Sequence, residues 1–394
     1  MPDVSAVTPD LDHLIALRRD LHAHPEIGLQ EERTSALLAR ELTAAGWTVT
    51  TGLAQTGLVA TLSCGTSQRA IGLRADIDAL PITEETGAPH ASKTPGVMHA
   101  CGHDGHTAIL VGAARALARR RTFDGTVHLI FQPAEENLGG AQLMIADGLF
   151  ERFACDEVYA LHNAPDLTLG HFATKTGPIM AAVDDAVITV QGAGGHAASP
   201  HETRDPIVAG AAIVMALQTL VSRTIAPPTP AVVTVGKFIA GTASNVIPST
   251  AQLTASVRTI DAATRELLEE RIIALAAAQA ASFGLTAETD YQRFYPPTIN
   301  HPAQTNKVHA AASLFAGQQH VHDMPAPAMG SEDFAYMLEE RPGCYFLLGA
   351  QETSQTGTSQ SVPLHHPAFD FNDAALPIGA AFWVNFTESL LAPT

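Results

Sequence analysis

From Trp47 to His162 short apolar runs alternate with helical stretches, and that alternation limits the chain to an α/β sheet that is at least partly parallel. Residues 47–51, 58–64 and 70–75 read as strands. Residues 104–121 read as a long helix, followed by strands at 126–132 and 157–162 with a helix at 140–146 between them. Two helices come first, one with helical spacing through Leu11, Leu14, Ile15, Arg18 and Leu21, the other over 31–45 and ended by Gly46. Polar residues then fall where such sheets bind their ligands: Asp76 and Asp78 follow one strand, Glu135 and Glu136 another, and His162 ends a third.

The character changes at about Asp184. A strand at 185–191, a helix opened by Asp205-Pro206, strands at 232–238 and 252–259 and a long helix at 262–283 give a β-α-β-β-α order, which predicts a small α+β two-layer sandwich inserted as a separate domain. The chain resumes with helices at 306–316 and 331–339, a strand at 345–348, a polar loop at 351–361 expected to be mobile, and a closing helix at 373–390. The predicted division is a catalytic domain from residues 1–183 and 293–394, interrupted by the inserted domain at 184–292; two domains also suit a length of 394 residues.

Charge excludes one class of partner. The net charge is −18, and beyond Arg119-Arg120-Arg121 no basic cluster offsets it, which argues against nucleic acid. The first residues lack a basic segment followed by an apolar one, and the longest apolar stretches, 211–217 and 272–281, are too short to span a bilayer. The expectation is a cytoplasmic protein with no membrane partner. Four cysteines, at 64, 101, 155 and 344, are too sparse for a disulfide framework.

The chemistry concentrates in residues 99–106, His-Ala-Cys-Gly-His-Asp-Gly-His, and in Glu135-Glu136 after the run at 126–132. A lone cysteine is usually a small core residue, but Cys101 has His103 two positions on and His99 and His106 on either side. Thiolate and imidazole can hold one divalent ion, and two adjacent carboxylates can divide between ligand and general base. Metal-dependent hydrolysis is the reading.

Five motifs carry a resemblance. Leu73-Arg74-Ala75-Asp76-Ile77-Asp78-Ala79-Leu80-Pro81, Met98-His99-Ala100-Cys101-Gly102-His103-Asp104, Phe131-Gln132-Pro133-Ala134-Glu135-Glu136, Gly194-Gly195-His196-Ala197-Ala198-Ser199-Pro200 and Met329-Gly330-Ser331-Glu332-Asp333-Phe334 resemble, in this order, the aminoacylase and carboxypeptidase-type metal amidohydrolases. The branch is that of hippurate hydrolase and the hydrolases of indole-acetyl amino acids, and the resemblance covers roughly residues 10 to 390. It implies a catalytic domain with two divalent metal ions, a lid domain that also dimerises, and hydrolysis of the amide of an N-acyl or N-aroyl amino acid.

Carried over by residue, it implies Cys101, His103, Glu136, His162 and His365 as metal ligands, with His366 as the alternative to His365, and Glu135 as general base. It also implies His196 as the lid histidine that polarises the scissile carbonyl, and Asn245 and Arg258 as residues that face substrate. The donor set admits zinc or manganese, with cobalt or nickel as further choices. Asp76 and Asp78 are expected either to cap the following turn or to orient His103, and Ser331-Glu332-Asp333 to cap a helix. Competing readings are a dipeptidase or carboxypeptidase on the same scaffold, a non-catalytic binding relative, and a Cys–His nucleophilic hydrolase that would survive a chelator.

Overall fold

A computed structural model describes residues 2–351 and 361–393, so the polar loop expected at 351–361 lies, apart from its ends, outside the described residues. The chain forms two compact units. One comprises Met1–Ile179, Ile299–Ala326 and Asp333–Thr394, the other Met180–Thr298 and Pro327–Glu332.

The first unit is built on an eight-stranded mixed sheet. Its leading strands are β1 (Thr48–Leu53), β2 (Gly57–Cys64), β3 (Ala70–Asp76), β4 (Gly125–Gln132), β5 (Glu157–Thr168) and β6 (Phe172–Thr174), joined by Val321–Asp323 and Gly343–Gln351. Across the sheet the order is β1, β2, β4, β3, β5, Gly343–Gln351, β6, Val321–Asp323. β3 runs parallel to both β4 and β5, and β1, β2 and β4 pair antiparallel. β3 is buried along its whole length, as a central strand covered on both faces should be. The helices α1 (Leu11–Ala23), α2 (Glu32–Ala44) and α3 (His103–Arg120) share one apolar core with the sheet and the closing helix Ala375–Leu390.

One strand is longer than its sequence suggests. His162 does not end β5, which continues to Thr168 because Gly343–Gln351 keeps pairing with it. On the other side β3 pairs only as far as Ala160, so His162 stands just beyond its neighbour's end, and the crevice opens there.

The second unit is a four-stranded antiparallel sheet, ordered Ala231–Ala240, Thr250–Thr259, Ala182–Gln191, Thr286–Arg293, with the helices Pro206–Thr224 and Ala262–Ser282 packed on it. The edge strand Thr286–Arg293 escaped the sequence reading because its side chains, Thr-Ala-Glu-Thr-Asp-Tyr-Gln-Arg, carry almost no apolar signal. Pro206–Thr224 corrects another expectation: its 19 residues, at a mean hydropathy of 1.5, are long and apolar enough to cross a membrane by length and composition. Counting uninterrupted apolar stretches missed this, since Gly210 and Gln218 break the run while the average over the helix stays high. Ala209, Ile213, Leu217 and Leu220 of this helix are buried against the sheet, the pattern of an amphipathic core helix.

Candidate metal centre

α3 begins at the site. Gly102 is its N-cap, at φ 87, and a Cβ there would stand 2.5 Å from Oδ1 of Asn163, so glycine alone lets Cys101 and His103 approach β5 at His162 and Asn163. His103 is buried, and its Nδ1 donates to the Asp78 carbonyl at 2.9 Å with the Asp78 carboxylate at 3.2 Å. In the neutral ring that bond leaves the lone pair on Nε2. Among the described residues this atom has no hydrogen-bond partner, and neither has Oε1 of Glu136, 3.8 Å away. Two buried, unpartnered ligand atoms facing each other fit a cation.

The other donors gather around them. Cys101 Sγ, Glu136 and His365 offer ligand atoms within 4.8 Å of one another, as do His103, Glu135 and Glu136. His162 Nδ1 donates to its neighbour's carbonyl, that of Asn163, at 2.8 Å, which turns Nε2 to 3.5 Å from Cys101 Sγ. His365 Nε2 is 3.3 Å from Glu136 Oε1, whereas His366 turns its Nδ1 to accept from the Ala368 N–H in its own loop. The five expected ligands and Glu135 therefore meet in one pocket. Its chemistry, one thiolate, three imidazoles and a carboxylate with a second carboxylate beside them, fits a pair of divalent ions.

The field of the pocket favours positive charge. Burial alone would keep His103 neutral, but Asp76, Asp78 and Glu136 outweigh it and push its pKa up to about 10. Burial, then Glu136 and Glu135, drive the Cys101 thiol well above its usual range, so a cation is what makes a thiolate ligand of it. Burial and the adjacent His106 hold His162 well below the usual imidazole range, which keeps its Nε2 lone pair available.

Asp78 orients His103, and it also accepts the Glu136 N–H at 3.1 Å, so one carboxylate fixes two candidate ligands. Asp76 serves a different partner. Its Oδ1 lies 2.6 Å from His106 Nδ1, while His106 Nε2 lies 2.9 Å from the backbone nitrogen of Asn163 and 2.5 Å from its side-chain Oδ1. Behind it Arg74 donates to Asp76 at 2.7 Å and to Gln132 at 2.8 Å. Burial opposes the Asp76 carboxylate, yet His103, Arg74 and His106 hold it well below the usual range. Asp333 corrects an expectation: it makes no side-chain cap to the helix Phe334–Glu340 but accepts from Arg74, Gln132 and the Ala141 N–H. His106, Asn163, Arg74 and Gln132 were not read as site residues from sequence. The one signal was His106 at one helical turn from His103.

Residues 72–389 match the family described as peptidase family M20/M25/M40. The chain belongs to this family. It is 41% identical over 379 residues to the N-acetyl-L-cysteine deacetylase of Bacillus subtilis, covering 96% of this chain and 88% of that one. It is 39% identical over 375 residues to the hippurate hydrolase of Campylobacter jejuni, covering 95% and 96%. Among solved structures, the YXEP protein of Bacillus subtilis, a dinuclear metal binding peptidase of the M20 family, superposes with a TM-score of 0.84 at 34% identity, over 98% of this chain and 99% of that one.

The remaining expected residues lie in the second unit. His196 is exposed on the short strand Gly195–His196, paired with Val246–Ile247, and its Nδ1 accepts from the Ala198 N–H at 3.0 Å. The ring hydrogen then sits on Nε2, facing outward as a donor. Asn245 is exposed, and its carbonyl accepts from the Ala197 N–H at 3.0 Å. Arg258 is half-buried, with Nη1 3.2 Å from the Ser331 hydroxyl, and burial lowers its pKa from the ordinary value.

Proposed function

We propose that the protein hydrolyses the amide bond of N-acyl or N-aroyl amino acids, releasing a carboxylic acid and a free amino acid. The observation that carries this reading is the pair of unpartnered buried atoms, His103 Nε2 and Glu136 Oε1, ringed by Cys101, His162 and His365 with the second carboxylate of Glu135 beside them. The relatives' names, a deacetylase and hippurate hydrolase, supply the substrate class. Cys101, His103, Glu136, His162 and His365 would hold two divalent ions, zinc or manganese first by donor type, with cobalt or nickel as substitutes. Such ions, when bound, supply Lewis acidity to the scissile carbonyl and make water more acidic.

Glu135 takes the proton from the attacking water and delivers it to the leaving nitrogen, so the tetrahedral adduct collapses to acid and amine. Its burial beside the ligands favours this over a solvated role. His196 offers its Nε2–H to the developing oxyanion, in the site of a partner subunit. Arg258 and Asn245 give donors for a substrate α-carboxylate in an otherwise acidic chain.

We further propose a homodimer formed through the second unit, in the cytoplasm. The edge strand Ala231–Ala240 exposes Val232, Phe238 and Ile239, and the helix Pro206–Thr224 exposes Val208 and Met215, an apolar margin suited to strand pairing between copies. The described cysteines are all free, which suits a reducing compartment. The test is a panel of N-acetyl, N-benzoyl, indole-acetyl and long-chain acyl amino acids, set against dipeptides, on metal-reconstituted protein with and without EDTA. Chelator-sensitive cleavage of one acyl class is expected. Dipeptides cleaved faster than every acyl amino acid, or activity indifferent to EDTA, would overturn the reading.

A further inference from the structure

Glu31 is fully buried and takes no part in the chemistry above. No cation among the described residues compensates it; burial, opposed by the bonds from Thr56 and Ala134, pushes its pKa up to about 7. A buried carboxyl without a counter-charge destabilises a fold, so a position that keeps one needs a local reason. Both its oxygens are engaged. Oε2 accepts from the Thr56 hydroxyl at 2.6 Å and Oε1 from the Ala134 N–H at 2.9 Å.

Ala134 immediately precedes Glu135, and its φ is 54, a left-handed conformation that alanine adopts unwillingly. Such a residue persists where its surroundings over-determine it, and here they do. The Ala134 carbonyl accepts from the Gly140 N–H at 3.1 Å, and on the opposite side a Cβ on Gly28 would stand 2.9 Å from Ala134 Cα. The segment that carries Glu31 is itself anchored beside Asp78, with Ile27 bridging to Ala79 and the Ala79 N–H donating to the Glu26 carbonyl at 2.8 Å. Past Ala134 the two carboxylates separate. Glu136 sends its N–H to Asp78, while Glu135 is buried within reach of His103 and Glu136.

We infer that Glu31 is a positioning residue for the general base: by accepting the Ala134 N–H it holds the left-handed turn that aims Glu135 into the pocket, an inference that rests on the role proposed for Glu135. The metal ligands are held by other contacts, those of Asp78 and of the Asn163 peptide, so loss of Glu31 should misplace the base and leave the ions bound.

The experiment compares Glu31→Ala, Glu31→Gln, Thr56→Val and Glu135→Gln in the metal-reconstituted enzyme, reading kcat, KM, bound metal and the folded fraction by circular dichroism. Glu31→Ala should lower kcat at least about tenfold, as small misplacements of catalytic groups do, with KM and metal content close to wild type. Glu31→Gln keeps an oxygen for the Ala134 N–H and should recover most of that loss. Should Glu31→Ala not fold, Thr56→Val removes only the hydroxyl that fixes the carboxyl, and a smaller fall in kcat with full metal content is expected. Wild-type kcat in folded Glu31→Ala or Thr56→Val, a loss that tracks metal content, or Glu31→Gln as impaired as Glu31→Ala would overturn the inference. Glu135→Gln separates the two levels. If it stays active, the reading of the base fails; if it is inactive while Glu31→Ala is not, only the positioning role fails.

Discussion

The pocket of the first unit and the candidate residues of the second unit treat polar groups in opposite ways. In the pocket the Cys101 thiol, Glu135 and the imidazoles of His103 and His162 are buried, Glu136 is half-buried and His365 exposed at the rim, and three of the candidate ligands are oriented by another residue: His103 by Asp78, Glu136 by Asp78, His162 by Asn163. In the second unit His196 and Asn245 are exposed and Arg258 half-buried, and the side-chain bonds of His196 and Arg258, to Ala198 and Ser331, stay within that unit. The pocket's buried groups are held by the protein's own contacts, because desolvated charges are tolerable only when fixed and paired. The second unit's His196 keeps its Nε2 as a donor, as the role proposed for it in a partner's site requires.

The largest effect should come from breaking the pocket's chemistry without its ligands. Glu135→Gln should retain metal and lose at least about a hundredfold in turnover. Cys101→Ser should instead lower metal content, because a hydroxyl ligates poorly. Elemental analysis with steady-state rates distinguishes them, and near-normal turnover of a fully loaded Glu135→Gln protein would remove Glu135 from the mechanism.

His196→Ala tests the other side of the comparison. Loss of an oxyanion donor should reduce kcat by about 10²–10³ while both metals stay. Mixed with inactive Glu135→Gln and allowed to exchange subunits, it should regain activity, since one site of each heterodimer then holds both residues intact. A well-exchanged mixture that stays dead would return His196 to its own subunit or exclude it from catalysis.

Asp76→Asn probes the support rather than the ligands. Asp76 offers one oxygen to His106 Nδ1 and the other to Arg74, and an amide has a single acceptor oxygen for the two, so the His106 ring that meets Asn163, whose carbonyl orients His162, is disturbed. Metal affinity, measured by chelator competition, should fall about 10- to 100-fold. Unchanged affinity would mean that the Asp76–His106 pair serves folding alone. Arg258→Ala should act on substrate only, raising KM for hippuric acid several-fold, about tenfold at most, and abolishing preference over its amide. Equal kcat/KM for acid and amide in the wild type would end the carboxylate assignment.

A separate effect, on stability and not on turnover, is one of pH. Burial raises Glu31 from 4.5 to about 7, so the folded chain keeps a proton that the unfolded chain has released. Stability contributed by that proton is complete below the unfolded value and declines as pH rises toward 7. Glu31→Gln removes the decline. Its stability relative to wild type, read from Tm, should therefore increase across that window, by about 3 kcal/mol at most by pH 7, and a constant difference would show that Glu31 titrates normally.

Periodicity by itself determined the α/β sheet, its parallel centre and the inserted β-α-β-β-α segment, because burial on one or two faces must be written locally as period 2 or period 3.6. Donor types at close spacing likewise marked Cys101, His103, Glu135 and Glu136, since a thiol, an imidazole and paired carboxylates have few other joint uses. The chain did not announce the edge strand Thr286–Arg293, whose half-solvated side chains carry no apolar stripe, nor the extension of β5 past His162, which depends on a partner strand some 180 residues later. Left-handed Ala134 and His365 were equally hidden, for neither residue type prefers that conformation. Only the tertiary structure decided which carboxyl supports which turn: Glu31 meets Ala134, and Asp76 meets His106, through contacts far apart in sequence. Hydrogen bonds of that kind depend on direction and distance to a few tenths of an ångström, which packing fixes and local sequence does not encode.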